Sequence, residues 1–447
     1  MSYTIEHIAS WLNTNSVIKT PAHIAHLLTD SRRLIYADTS LFFAITTEQN
    51  DGHVYVEELI QRGVFNFVVK TNFDTSAFPD ANFLKVNDVL VALQVIAKNH
   101  RAQFNYPVIG ITGSNGKTIV KEWLNQLLAN RYHIIRSPRS YNSQIGVPLS
   151  VWEMDEKHQL AIFEAGISTT HEMEHLVPII KPTIGVLTHM GHAHAEGFSG
   201  MQQKIQEKLR LFETVDTIIY GKDVLNEGVD IEADASIFNR PITFYSWSRT
   251  APATLVIASE INTRNFTELH LLVAGQTHVI QLPFTDKASI DNAMLCMLTL
   301  LALGKSFSFI ANGIKQLTPV DMRMQLKKGM NGFAFINDSY NLDFDSFVVA
   351  GFYLKAQAAG RDSSIVVSDF AETGEASQNL YAKVAKHAAT LGIKRFIGIG
   401  GQIKKNQSVI QQEFLGTSTQ LYFFDSTLSF LQLFRLQDFS NEIILLK

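Results

Sequence analysis

The sequence predicts an α/β protein of three domains. A central P-loop-type, mostly parallel sheet is flanked by a small α/β domain and a Rossmann-like C-terminal domain. Three observations predict it. The chain has 447 residues, and a prior of roughly 150 residues per domain gives about three. Short apolar runs alternate with segments of helical period along most of its length. One of those runs ends in a glycine-rich turn that opens directly into a helix-forming stretch. The expected domains are residues 1–103, 104–317 and 318–447.

In the first domain, apolar residues recur at helical spacing from Ile5 to Leu28, before Thr29-Asp30-Ser31-Arg32-Arg33. Ser40 to Ile45 reads as a strand, and Asn50-Asp51-Gly52-His53 as a turn. Val54 to Arg62 reads as a helix and Phe65 to Lys70 as a strand. A helix from Asp88 to Arg101 closes the unit, with Phe104-Asn-Tyr-Pro107 as a linker. In the centre, Tyr106 to Thr112 is a buried strand, followed by a helix over Lys117–Asn130. Further strands are expected at Leu160–Glu164, Ile184–Thr188 and Thr217–Tyr220. Segments 242–247 and 255–281 alternate in character and suggest an antiparallel addition, and an apolar helix near Asn292–Leu303 ends the domain. The third unit begins near Pro319, with strands at Phe333–Asn337, Ser364–Ser368, Arg395–Ile399 and Gln420–Phe424. The chain ends on a strand-like run, Ile443 to Lys447.

Hydrophobic residues make up 46 % and charged residues 18 %, which suits filled cores and argues against disorder. The net charge of −4 gives no reason to expect nucleic acid. Lys327-Lys328 and Lys394-Arg395 read as solvated surface. Cys296 is the only cysteine, so no intrachain disulfide can form, which suits a reducing compartment. The N-terminus lacks the basic start and apolar core of a signal peptide. The longest apolar stretch, Ala293 to Leu303, is about half of what a membrane crossing needs. A cytoplasmic protein with no membrane span is expected.

The strongest chemical signal is Gly110-Ile-Thr-Gly113-Ser114-Asn115-Gly116-Lys117-Thr118. A strand, a glycine turn and a helix N-terminus together aim backbone N–H groups and partial positive charge at one spot, which suits nucleotide phosphates. Lys117 would meet the β- and γ-phosphates, and the Thr118 hydroxyl a magnesium ion. Glu164 ends an apolar strand, where a carboxylate faces the ligand crevice of an open α/β sheet. It reads equally as a metal ligand or a surface acid. His189, His192 and His194 invite a zinc reading, but Cys or Asp partners at useful spacing are missing. Lys208 by itself reads as a surface lysine. Asp338, in Asn337-Asp-Ser-Tyr-Asn341, is either a ligand to a ribose or an ion, or the start of an Asx turn.

Taken in order along the chain, these segments resemble the Mur ligases, ATP-dependent enzymes that build the peptide of peptidoglycan. Asp30-Ser-Arg32, Leu41-Phe-Phe-Ala44, Asp51-Gly-His53, Tyr141 to Pro148, Gly191 to Phe198 and Asn337 to Asn341 carry the resemblance. Within the family they are most similar to the ligases that add D-alanyl-D-alanine to UDP-N-acetylmuramoyl-tripeptide. The resemblance implies ATP and Mg2+ as cofactors and an acyl phosphate intermediate. It implies that Gly113, Ser114, Asn115, Gly116, Lys117, Thr118, Asn292, Arg323 and Asp338 bind the nucleotide. Thr118, Glu164, His194 and Lys208 would surround the metals, with Lys208 carbamylated. Lys117, Lys208 and His194 would be catalytic. Ser31 and Arg32 would lie in a UDP-binding first domain, and Asn142 near the muramoyl substrate.

Leu342-Asp-Phe-Asp345 and Ser368 to Gly374 depart from the family's usual Ala-Asn-Pro and Gly-Asp-Met-X-Glu-Leu-Gly patterns, which leaves the dipeptide pocket open. In some bacteria a ligase of this divergent type is fused to an alanine racemase, and the end at Lys447 would fit a ligase portion of such a fusion. The nearest alternatives are the ligase that extends UDP-muramoyl-dipeptide and a folylpolyglutamate synthetase-like enzyme. The first typically shows an Asp-Asn-Pro-Arg signature that is missing here. The second lacks the Asp-Ser-Arg type of first domain.

Overall fold

The computed structural model describes residues 1–48, 50–191, 197–224, 231–232, 238, 240–263, 265–329, 332–370 and 376–447. Three main sheets follow one another along the chain. In the first domain, strands β1 (Tyr3–Thr4) and β2 (His23–Ile24) form a small antiparallel pair. Strands β3 (His26–Leu28), β4 (Ser40–Phe43), β5 (Asn66–Lys70) and β6 (Asn82–Val86) make a four-stranded parallel sheet in that order.

The helix expected over residues 5–28 forms only at Ile5–Trp11, where Thr4 accepts the His7 amide as its cap. Asn13 then turns left-handed at φ 50°. The residues that follow, Thr14-Asn15-Ser16, offer side-chain hydrogen bonds that compete with helix. Thr14 donates to the Lys85 carbonyl at 3.0 Å. Pro21 then precludes a helical continuation, and the remaining apolar residues become strands.

Helix Val89–Arg101 starts at its Asp88 cap and packs against helices Gly146–Trp152 and Glu172–Ile180 of the central domain. It ends on Arg101, whose buried guanidinium donates to the carbonyls of Phe104, Ile180 and Lys181 at 2.6, 2.9 and 3.0 Å. The first domain is therefore tied to the second through backbone acceptors.

Among the described residues, the central sheet has nine strands. They are β7 (Val108–Thr112), β8 (Ile134–Arg136), β9 (Leu160–Glu164), β10 (Ile184–Leu187), β11 (Thr217–Gly221), β12 (Thr243–Ser248), β13 (Leu255–Asn262), β14 (Thr267–Val273) and β15 (Gln276–Leu282). Their order is β15-β14-β13-β12-β11-β10-β7-β9-β8. The antiparallel addition is β13–β15 alone, because β12 pairs in parallel with β11 and extends the parallel part. Helices Lys117–Leu128 and Lys287–Ala302 pack together over this sheet through Val120, Trp123, Leu124, Ala293 and Met297. The second helix begins five residues before Asn292, at a cap where Asp286 accepts the Ser289 amide. The apolar run marked its buried middle and not its polar start.

The third domain holds β16 (Gln325–Lys328), β17 (Ala334–Asn337), β18 (Asp362–Ser368), β19 (Arg395–Ile399), β20 (Gln420–Phe424) and β21 (Glu442–Leu446), in the order β16-β17-β21-β18-β19-β20. Among the described residues of this sheet, only β16 runs antiparallel. Its sequence Gln-Leu-Lys-Lys carries no apolar signal because it is a charged edge strand, a common guard against further pairing. The last strand inserts between β17 and β18, so residues 338 and 447 emerge side by side. Among the described residues, no helix is long and apolar enough to cross a membrane.

Candidate active site

Strands β7, β9 and β10 are neighbours, and their C-terminal ends form one crevice, the usual ligand position in such sheets. The turn after β7 needs two left-handed glycines, Gly113 at φ 140° and Gly116 at φ 96°. Both also permit close approach. A Cβ on Gly113 would lie 2.1 Å from Thr188 Oγ1, and one on Gly116 would lie 2.4 Å from Asn292 Oδ1. Asn292 is thereby seated against the turn.

The turn rests on the loop after β10. The amides of Ser114 and Asn115 donate to the His189 carbonyl at 2.8 and 3.3 Å, and the Ser114 hydroxyl donates to Gly191 O at 3.0 Å. Those two amides are therefore committed to the protein and are not among the several N–H groups expected to face phosphate. The amides at the start of helix Lys117–Leu128 have no intrahelical acceptor, which suits an anion there. Lys117 Nζ curls back to the Gly113 and Ser114 carbonyls at 2.7 and 2.9 Å. Burial of the ammonium pushes its pKa down to about 8, against the pull of Glu164.

Thr118 lies at the centre of an oxygen cluster. Its hydroxyl is 2.8 Å from Ser140 Oγ and donates to Glu164 Oε2 at 3.1 Å. Glu164 is fully buried, and its other oxygen pairs with Lys121 Nζ at 3.0 Å. Lys121 also donates to the carbonyls of Ser137 and Arg139, which fixes the carboxylate. These hard oxygen donors suit magnesium. Lys204 and Lys208 lie one turn apart on helix Met201–Leu209, and both are buried. Lys204 Nζ donates to Gly191 O at 2.5 Å. Burial, with Lys117 and Lys204 as like-charged neighbours, holds Lys208 well below the usual lysine range. His192 and His194 lie outside the described residues.

The third domain closes the crevice. Arg323 Nη2 approaches Thr118 Oγ1 at 3.4 Å, and its guanidinium stacks over Tyr340 at 4.2 Å. Asn341 reaches Asn115 Oδ1 at 3.5 Å. A cavity of about 190 Å³ between the two domains is lined by Gly116, His189, Trp247, Asn292, Asp338 and Lys447. An adjoining one of about 260 Å³ is lined by Lys117, Thr118, Ser140, Asn142, Arg323 and Tyr340. Asn142 thus joins the phosphate turn. Ser31 and Arg32 stand apart in the first domain. Ser31 is buried, and its carbonyl accepts from Arg62 at 2.9 Å. Arg32 projects outward, held by Asp30. Arg33, which the sequence reading passed over, is the residue of that turn that touches the central domain, at the Tyr141 hydroxyl.

Sequence reasoning also missed Ser140, Lys121, Lys204 and Lys447. Lys121 was within reach of it, one helical turn after Lys117 and so on the same face. Lys447, at the C-terminal end of a parallel strand, was within reach of the rule that singled out Glu164. Ser140 lies in a loop and carried no signal.

A glycine turn at a helix start on one domain, a buried acid and lysines beside it and an arginine brought from another domain have the character of a nucleotide-dependent enzyme with its site at a domain boundary. The profile of the Mur ligase middle domain matches residues 111–300, so the central domain is similar to that of the Mur ligases, enzymes that form amide bonds with ATP. It is 26 % identical to the UDP-N-acetylmuramoyl-tripeptide–D-alanyl-D-alanine ligase of Haemophilus influenzae, over 84 % of this chain and 80 % of that one. The Bacillus subtilis ligase of the same name is also 26 % identical, over 79 % of this chain and 75 % of its own. The fold is shared with MurF from Acinetobacter baumannii, with a TM-score of 0.83 and 22 % identity over 100 % of this chain and 95 % of that one.

Proposed function

We propose that this chain joins D-alanyl-D-alanine to UDP-N-acetylmuramoyl-tripeptide in the cytoplasm, with ATP and magnesium, through an acyl phosphate. The observation that carries the reading is the cluster of Thr118, Ser140 and Glu164 oxygens beside the phosphate turn, facing Arg323 across the domain boundary. Relatives bearing that activity in their names align over about four fifths of this chain. A neighbour of the same fold, MurF from Thermotoga maritima, is described in complex with ADP. The division into a UDP-binding domain at 1–103, an ATP domain at 104–317 and a closing domain from 318 belongs to this proposal.

The tripeptide's terminal carboxylate is a poor electrophile because its leaving group would be oxide. A carboxylate oxygen attacks the γ-phosphorus, the bond to the β-phosphate bridging oxygen breaks, and ADP leaves. The dipeptide amine then attacks the acyl carbon, and the tetrahedral intermediate expels phosphate as the nitrogen loses a proton. Both steps crowd negative charge, so positioning and neutralisation dominate. Lys117 places a fixed cation at the transferred group, and Arg323 adds a second when the domains close. Thr118, Glu164 and a carbamylated Lys208 would hold magnesium, which supplies further charge neutralisation at the phosphoryl oxygens. The neutral amine that burial favours at Lys208 is the form that adds carbon dioxide and sheds a proton to become a carbamate. His194 keeps the metal-binding and catalytic role that the family resemblance implies.

The test is phosphate release with ATP, UDP-muramoyl-tripeptide and D-alanyl-D-alanine, omitting each in turn and repeating with EDTA. Turnover requiring all three and the metal is expected, and release that ignores either peptide substrate would sink the reading. Lys208→Ala should lose at least about a hundredfold in kcat, the size expected when a charge-stabilising group is removed. A small added carboxylate should restore part of it.

A further inference from the structure

Lys447 follows β21, and its backbone is fixed by β18. Its amide donates to the Val366 carbonyl at 2.9 Å, and its carbonyl accepts from the Ser368 amide at 3.0 Å. Its side chain turns inward and is 1 % exposed. The ammonium lies 2.6 Å from Asp338 Oδ2 and donates to the Asn341 carbonyl at 2.7 Å. The other Asp338 oxygen accepts the Met324 amide at 3.0 Å, next to Arg323. Asn341 in turn reaches toward Asn115 of the phosphate turn. One lysine thus joins the ends of β17 and β21 to the loop that meets the central domain.

Lys447, Asp338 and Asn341 all line the cavity shared with Gly116 and Asn292. A triphosphate entering there brings several negative charges, and a buried carboxylate without a partner would oppose it. We propose that Lys447 is a positioning residue for the nucleotide. It quenches the Asp338 charge and pins the 338–341 loop, so that the third-domain wall is preset for ATP. This inference rests on reading the cavity as the ATP site.

The experiment uses the full chain and a non-hydrolysable ATP analogue with magnesium, followed by calorimetry, together with the KM for ATP and kcat. Lys447→Met should weaken the analogue and raise KM by at least about tenfold, the order seen when one partner of a buried charge pair is removed. The kcat should change much less, and Lys447→Arg, which keeps the charge, should recover part of the affinity. Combining Lys447→Met with Asp338→Asn removes both charges, and its affinity should return to within about threefold of Asp338→Asn alone. Losses that add would show that Lys447 does not act through Asp338, and that result would overturn the proposal, as would unchanged binding by Lys447→Met. Should Lys447→Met fail to fold, the double variant decides by the same comparison. If the wild-type chain itself does not bind the analogue, the ATP reading fails, which is a separate outcome.

Discussion

Gly116 concentrates the demands of the site in one residue. It caps helix Lys117–Leu128 at φ 96° and lies against Asn292 Oδ1 with no room for a methyl group. Gly116→Ala would place a Cβ in a left-handed conformation, at about 1–2 kcal/mol, and would push the asparagine off its seat. The expected outcome is a stable fold with the KM for ATP raised at least about tenfold, because 1.4 kcal/mol corresponds to one decade. Binding of UDP-muramoyl-tripeptide, measured separately by calorimetry, should be nearly unchanged. A KM for ATP equal to wild type would remove both Gly116 and Asn292 from the nucleotide site. The turn between strand and helix was legible in the sequence because its glycines, lysine and threonine are contiguous. Glu164 and Lys208 were ambiguous there, since only the fold brings the acid to Thr118 and buries the lysine.

Among elements, those with one clear period were legible to within a few residues, as at Leu160–Glu164 and Arg395–Ile399. The 5–28 segment was not. Its apolar spacing fitted a helix, but Thr14 and Ser16 bond to the Lys85 backbone and turn the chain into strands. Helix Val89–Arg101 carries a consequence of its own. His100, on its buried face, accepts from the Tyr3 hydroxyl at Nδ1 at 2.8 Å and donates from Nε2 to the Met154 carbonyl at 3.0 Å. Burial pushes its pKa from 6.5 down to about 4. Because the folded state resists protonation, the unfolded chain binds the extra proton between those values. The histidine's contribution is therefore intact above pH 6.5 and is lost as pH falls toward 4. From pH 7.5 to 5.0 this single group should lower the unfolding free energy by about 2 kcal/mol. Chemical denaturation at both pH values should show His100→Gln losing less on acidification than wild type. Equal losses would place the acid sensitivity elsewhere.

At the scale of the whole molecule, polar contacts of the described residues cross the second domain boundary. Trp123 Nε1 donates to the Thr318 carbonyl at 3.0 Å, which anchors the near side. Beyond it, Met322 and Met324 adopt left-handed conformations at φ 59° and 49° on either side of Arg323. These conformations are unusual for such side chains and aim the guanidinium back at Thr118 and Tyr340. A nucleotide held between the domains should therefore stabilise both through Arg323. At about a hundredfold excess over its dissociation constant, a non-hydrolysable ATP analogue should add about 2.7 kcal/mol to the unfolding free energy. Arg323→Ala should reduce that gain by about 1.4 kcal/mol for each decade of affinity lost. Arg32→Ala, in the first domain, should leave it intact and instead weaken UDP-muramoyl-tripeptide. Thermal shifts with each ligand separate the two effects. If Arg323→Ala keeps the full analogue shift, the closed arrangement of Arg323 over the phosphate turn has no part in nucleotide binding.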